Sequence, residues 1–513
     1  MIKNIKINIP PQFSLEVNDI KKFVSKNYSI KYNEINYINI IKRSIDARHK
    51  KVKIILDLEV YINENFKESE NIKQNYKNVE KSEKVLIIGS GPAGIFAALK
   101  CLEKGKKPIV LERGKNISNR KIDLSKINKH HIVNENSNYC FGEGGAGTFS
   151  DGKLYTRSKK RGDVNRILEI LINHGADPKI KIDSQPHIGT NKLPKIITNI
   201  RKTIINHGGS ILFNKKVTNL IIKNQEIIGV EVNKEEYFYC NKVILATGHS
   251  ARDIYQIFNK NKIDIELKTF AVGVRIEHRQ KLINKIQYNN HDKNKFLPPA
   301  SYSIKTQING RGVYSFCMCP GGVIAPCATK SGEIVTNGWS PSKRNYPTSN
   351  SGFVVELKKS DFNQYEKYGP LAGVEFQKEI ERKACMLAGG NQKAPAQRLI
   401  DYIDNKTSED LGKTSYFPGI SSVNLSKIFP EYINQSLREA LEIFGDKMKG
   451  FLTNDAIVHA PETRTSSPVR IPRDKITLQH TSIKGLYPCG EGAGYAGGII
   501  SAAIDGEKCA EKC

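Results

Sequence analysis

At 513 residues, with 39% hydrophobic and 26% charged side chains, the chain has globular composition and enough length for two or three hydrophobic cores. Its 80 Lys and Arg against 52 Asp and Glu give a net charge of +28, which raises nucleic acid, anionic lipid and acidic small molecules as partners. The basic residues are dispersed through plain Lys- and Asn-rich stretches such as 286–295 rather than clustered with aromatics, which disfavours a nucleic-acid face; ten cysteines in so long a chain exclude a disulfide scaffold and are expected as reduced thiols.

Residues 1–13 carry no apolar leader core, so the expected compartment is the cytoplasm. Residues 2–9 alternate polar and apolar like a strand, 17–28 have helical spacing, and 51–62 are again a strand pattern, with RSIDAR at 43–48 between them. This predicts a small N-terminal α+β domain within 1–80. Residues 63–82 are charged and lack an apolar face, which predicts a linker or a solvated helix. A βαβ unit follows: strand 85–88, helix 92–104, strand 108–111. The longest apolar stretch, 85–99, is broken by Gly89, Gly91 and Gly94 and cannot span a bilayer. After it come a glycine-rich loop at 139–152 and a helix at 193–207. Strands at 210–213, 217–223, 226–232 and 237–239 are expected to form a meander leading to KVILATG at 242–248. Residues 486–512 return to strand, glycine turn and helix. The expected division is therefore 1–80, then 81–250 together with 451–513, with 251–450 as an inserted α+β substrate domain.

One stretch carries a dinucleotide fingerprint, and two later ones share its glycine-rich turns. Strand VLIIG runs into Gly89, Gly91 and Gly94 and then a helix, with Glu112 at the end of the next strand. Gly89 suits the tight turn, Gly91 close backbone approach to a pyrophosphate, and Gly94 helix–strand packing. The helix N-terminus offers free N–H groups to the phosphates, and Glu112 stands where an acid binds ribose hydroxyls. Arg113 and Gly114 follow Glu112. Gly248 closes the strand at 242–248, and the C-terminal stretch holds Gly490, Glu491, Gly497 and Gly498.

These elements, in this order, resemble flavoproteins related to glutathione reductase, which bind FAD on an α/β, Rossmann-like domain. The resemblance implies that Glu491, where many relatives have Asp, binds the flavin ribitol, and that Gly142, Gly144, Gly145 and Gly147 line the pyrophosphate or the ring edge. RSIDAR, GEGGAGTFSDGKL at 142–154, PHIGTNKL at 186–193, FCMCPGG at 316–322, ETRTSSPVR at 462–470 and CGEGAGYAGGI at 489–499 are together similar to a family of bacterial and plastid FAD-dependent dehydrogenases, along nearly the whole chain. The implied activity is an FAD-dependent oxidoreductase. NAD(P)H stays open as an electron donor, since the sequence holds a single nucleotide fingerprint.

Because the cofactor supplies the redox chemistry, the protein's candidates are groups that bind and protonate. Arg464 and Arg470, among four hydroxyl residues just upstream of the C-terminal motif, suit a bidentate clamp on an anionic small-molecule substrate, or alternatively an internal Arg–Glu network. His249 and His459 are candidate acid–base groups, with hydrogen-bonded structural histidines as the alternative. Lys153 can place positive charge near the cofactor. Cys317 and Cys319 suggest a thiol relay beside the cofactor, but their spacing is unfavourable for an easily formed disulfide, so packed or substrate-facing thiols are expected; neither a zinc nor an iron–sulfur spacing is present, so no metal is expected. The alternatives to an oxidoreductase are a flavin-dependent RNA-modifying or RNA-binding protein and a flavin scaffold without turnover.

Overall fold

A computed structural model describes residues 1–66, 74–156, 162–289 and 296–513. At its centre is a five-stranded parallel sheet in the order Leu486–Pro488, Val243–Leu245, Lys84–Ile88, Lys107–Leu111, Ser210–Leu212. The unbroken apolar run of Lys84–Ile88 has its cause here, because a central parallel strand is covered on both faces. Val85 and Ile87 point into a core shared with helices Pro92–Glu103 and Ile499–Lys512; Leu86 and Ile88 point into another shared with Val217, Val230 and Ile254. The last strand of the chain thus lies beside the same sheet as the first fingerprint, with Val243–Leu245 between them. This is the α/β Rossmann-like fold expected from the sequence.

Beside it stands a seven-stranded, mainly antiparallel sheet in the order Lys305–Ile308, Arg311–Cys319, Thr348–Glu356, Ala271–Arg279, Ile457–Glu462, Ala394–Arg398, Ile420–Ser422. Helices Ala372–Leu387 and Glu431–Lys447 pack on its core. A third, N-terminal sheet orders Ile2–Ile9, Lys53–Ile62, Ile35–Asp46 and is covered by helix Val17–Tyr28. It is tied to the main body through Arg43, whose N–H donates to Ile182 O and whose guanidinium meets Asp183 at 3.1 Å.

Four sequence expectations are corrected. Strand Ser210–Leu212 is not part of the meander; it pairs in parallel with Lys107–Leu111, leaving three strands, Val217–Lys223, Glu226–Val232 and Glu236–Tyr239. Ile457–Glu462, assigned to the flavin domain, pairs with Ala271–Arg279 in the seven-stranded sheet, so the second boundary falls later than 451. Strand Ile35–Asp46 and helices Ile117–His130 and Val164–Asn173 were not anticipated. The supposed linker lies partly outside the described residues, and its later part is docked rather than solvated: Val79 is buried and its N–H donates to His207 O. Among the described residues no helix is long and apolar enough to cross a membrane.

Candidate active site

One cleft collects the fingerprints. Its walls come from the turn after Lys84–Ile88, the glycine-rich loop at 139–150, the turn at 246–251, the C-terminal turn, and the edge of the seven-stranded sheet at Phe316 and Cys317.

At the turn, Gly89 sits at φ 101°, and a Cβ there would lie 2.5 Å from Ala246 O. A Cβ on Gly94 would run into the Gly89 carbonyl, so the helix packs against the turn only because Gly94 has no side chain. Gly91 differs: its φ of −71° suits any residue, and a Cβ would meet only Gly145 Cα, at 3.9 Å. Gly145, at φ 61°, presses in return, since its Cβ would lie 2.9 Å from Gly91 Cα. Gly91, Gly145 and Gly147 therefore form a bare-backbone cradle on the cleft wall at the start of helix Pro92–Glu103, whose first-turn N–H groups lack helical partners.

Glu112 organises that cradle. It is 4% exposed, and its Oε2 accepts from Ser90 N at 2.9 Å and Ser90 Oγ at 2.8 Å. Its Oε1 accepts from Gly114 N at 2.8 Å and Gly142 N at 3.0 Å. One carboxylate thus ties the turn to the glycine-rich loop while still lining the cleft. Arg113 lines it too, stacked 4.1 Å over Phe141 and bonded to Asp253 and Asn136 at 3.0 Å each. The rest of the loop hangs on Arg120, a residue sequence reasoning missed. Its buried guanidinium donates to the carbonyls of Asn138, Tyr139 and Glu143 at 2.8–3.0 Å. Burial lowers its pKa to about 10, which leaves it charged at neutral pH. Gly142 and Gly144, at φ 114° and 76°, shape the loop behind the wall, with Gly142 against Arg120 and Gly144 against Thr148.

The C-terminal motif reaches the cleft as its order in the chain suggested. Glu491 and Gly498 line it; Gly490 supports them from behind, its N–H donating to Asp505 at 2.8 Å, while exposed Gly497 donates to Ser501 instead. Asp505 also holds Arg473 at 2.6 Å, so the closing helix fixes its own preceding turn. From the facing turn, Gly248 at φ 73° and His249 line the same space. His249 Nε2 lies 3.6 Å from Glu491 Oε1. Burial, with the Arg464 and Arg252 charges behind it, lowers the imidazole pKa to about 3, whereas burial raises Glu491 to about 7, against the pull of Lys268. The cleft thus sets a neutral imidazole beside a carboxyl raised toward neutrality.

The remaining three catalytic candidates do not present a reactive group. Arg464 touches the cleft wall, but its fork is filled: Nε and Nη2 donate to Glu381 at 3.1 and 2.8 Å, Nη1 to Thr329 at 2.9 Å, and Nη2 also meets Glu333 at 3.3 Å. Arg252 grips the same Glu381 at 2.7 and 2.9 Å. This is the internal Arg–Glu network, not a clamp. Arg470 is exposed, outside the cleft, 4.8 Å over the Tyr495 ring. His459 is fully buried in the antiparallel sheet, its Nε2 2.9 Å from Thr414 Oγ1, and burial lowers its pKa to about 4. The wall also includes Phe316 and Cys317, with Lys153, expected from the sequence to bring positive charge near the cofactor, behind Cys317.

Residues 83–287 match the family model described as pyridine nucleotide-disulphide oxidoreductase, residues 269–465 that described as FAD-dependent protein, C-terminal domain-like, and residues 1–61 a domain of unknown function. An uncharacterised protein of Clostridium beijerinckii is 40% identical over 531 residues, covering 99% of this chain and 97% of its own. The thiamine thiazole synthase of Methanococcus vannielii is 26% identical over 190 residues, 35% of this chain and 60% of its own. Among solved structures, CtdE in complex with FAD aligns over 84% of each chain at 13% identity and a TM-score of 0.32. Tetracycline destructase Tet(51) aligns over 83% of this chain and 79% of its own, at 11% identity and a TM-score of 0.33. With the Rossmann-like sheet, the cleft that gathers its fingerprints and a homologue matched from end to end, the chain belongs to the family of FAD-dependent oxidoreductases to which the Clostridium beijerinckii protein also belongs.

Proposed function

We propose that the chain binds FAD along this cleft and catalyses oxidation or reduction of a small molecule admitted between the parallel and antiparallel sheets. The supporting observation is convergence: five segments far apart in sequence, including a glycine cradle that a side chain on Gly91 would fill, line one continuous space. In this reading the helix N-terminus and the Gly91–Gly145 cradle hold the pyrophosphate, Glu112 and Arg113 face the adenosine half, and Gly248, Glu491 and Gly498 face the flavin half. Bound FAD supplies two-electron chemistry; the chain supplies position and protons. Glu491 Oε1, beside neutral His249, takes up or releases a proton near pH 7, and Phe316 keeps the sheet side of the cleft apolar. A clamp for an anionic substrate at Arg464 and Arg470 is not part of this reading, because one fork is filled and the other lies outside.

The test is direct. Protein purified without added cofactor should release FAD on denaturation, and its absorbance should bleach anaerobically with NADH, NADPH or a fraction of a metabolite pool. Stoichiometric FMN, or no flavin after gentle purification, would overturn the assignment; FAD that no reductant bleaches would leave a scaffold rather than an enzyme.

A further inference from the structure

The cleft does not end at Phe316. Phe316 and Thr465 line it and also line a second cavity, which runs over the face of the seven-stranded sheet. Adjacent strands of that sheet supply the floor. Tyr314 and Phe316 come from Arg311–Cys319, Glu356 from Thr348–Glu356, and Ala271, opposite Glu356 in register, from Ala271–Arg279. Residues two apart on a strand share a face, so Tyr314 and Phe316 stand in line along the groove. Phe270 and Ser466 complete its walls.

Glu356 is fixed in that floor. Its Oε2 accepts from Gly312 N at 3.2 Å, and a Cβ on Gly312 would lie 2.7 Å from the same oxygen, so the carboxylate rests on a bare stretch of the neighbouring strand. Its Oε1 has no hydrogen-bond partner among the described residues, and neither have the hydroxyls of Tyr314, Ser466 and Thr269, which line the same groove. Two other polar residues there are already spent. Thr465 Oγ1 donates to Ala271 O at 2.7 Å, and the Arg311 fork closes on Asp361 at 2.6 and 2.7 Å. Lys358 is exposed at the groove and forms no ion pair among the described residues.

We propose that this groove is the specificity half of the substrate site, and that it takes an uncharged, polyhydroxylated substituent, a sugar or polyol, of a molecule whose reacting end passes Phe316 into the cleft. A ligand hydroxyl both donates and accepts, so it can donate to Glu356 Oε1 and accept from Tyr314, Ser466 or Thr269 in turn. Phe270 and Phe316 cover the apolar C–H faces that such a group also carries. An anionic group is repelled by Glu356 and finds the Arg311 fork filled, while a lone exposed lysine adds little. A cationic group meets Arg311 and Lys358 on the same groove. Burial and the Glu356 charge raise the Tyr314 pKa, which keeps its hydroxyl a donor. Only the passage to the redox centre rests on the FAD reading; the groove and its polar groups do not.

The experiment uses FAD-loaded full-length protein and three probes that share one phenyl ring: phenyl β-D-glucoside, phenylacetate and phenethylammonium. Saturation-transfer NMR reads binding, and the flavin absorption band reads proximity to the cofactor. The glucoside should bind about tenfold or more tighter than either charged probe, with saturation on its sugar protons, and should shift the flavin band. Glu356→Ala should weaken it by about tenfold or more and Tyr314→Phe by about fivefold, the effects of losing a charged and a neutral hydrogen bond, with FAD content and melting temperature unchanged. No binding of the glucoside, binding untouched by either substitution, or tighter binding of a charged probe overturns the proposal. Glu356-dependent binding that leaves the flavin band unmoved overturns the passage past Phe316. The two readings fail separately: flavin-free protein whose glucoside binding still depends on Glu356 sinks the cofactor assignment alone, and FAD-loaded protein that binds the glucoside without Glu356 sinks the groove alone.

Discussion

The two sides of the cleft are built from different materials. The side nearest helix Pro92–Glu103 is backbone: Gly91, Gly145 and Gly147 present main chain, and one carboxylate, Glu112, gathers N–H groups from three segments. The opposite side is side chains, in layers: Cys317 before Lys153, and Arg464 before Glu381 and Arg252. A backbone cradle needs particular residues at fixed local spacing and binds whatever carries phosphates. A side-chain wall needs only that distant segments meet, and there the same residue type either serves the cleft or serves the fold. Arg464 shows the second outcome. It stands at the wall, yet all three of its guanidinium nitrogens donate inward.

The comparison can be broken at several points. The harshest is removal of residues 486–513, which takes away an edge strand of the parallel sheet, Glu491, and the helix whose Gly506 lies tight against Ala93. Soluble folded protein and bound flavin should be lost together; a truncated protein that stays soluble and yellow would refute the shared site. Next come two glycines three residues apart. Gly94→Ala overpacks the helix–strand contact and should cost about 3 kcal/mol or more, seen as a lower melting temperature. Gly91→Val should fold with little change in melting temperature, because its φ and surroundings tolerate a side chain, yet lose FAD, because that side chain occupies the cradle. Equal loss of stability in both variants would mean that the cradle is structural.

Arg464→Lys keeps the charge and discards the fork. The buried network should lose about 1.5–3 kcal/mol, lowering the melting temperature by several degrees, while flavin reduction per loaded molecule stays unchanged. Slower reduction at unchanged stability would restore Arg464 to the substrate. A pH-dependent effect belongs to Glu491. Its pKa is raised from an ordinary 4.5 to about 7, so the folded protein binds the extra proton. Stability in the cofactor-free protein should therefore fall as pH rises from about 4.5 to 7, and level off above. Glu491→Gln should remove that slope in thermal melts across the window, and an unchanged slope would place the titration elsewhere.

What the sequence determined by itself is the backbone side. Gly89, Gly91, Gly94 and Glu112 lie within one βαβ unit, where spacing along the chain sets spacing in space, and the resemblance carried by the C-terminal motif supplied Glu491. The helix over Val164–Asn173 was equally local and went unread, although Asp163 caps it and Ile167, Leu168, Ile170 and Leu171 mark its buried face. Only the tertiary structure decided which charged groups face the cleft. Arg464 and Arg252 are 212 residues apart and meet on Glu381; Lys153 and Cys317 are 164 apart and meet across a β-bulge. No local pattern encodes such a meeting. Burying a charge is costly unless a partner is supplied, so a guanidinium's role follows from who its neighbours are, and the neighbours are chosen by the fold.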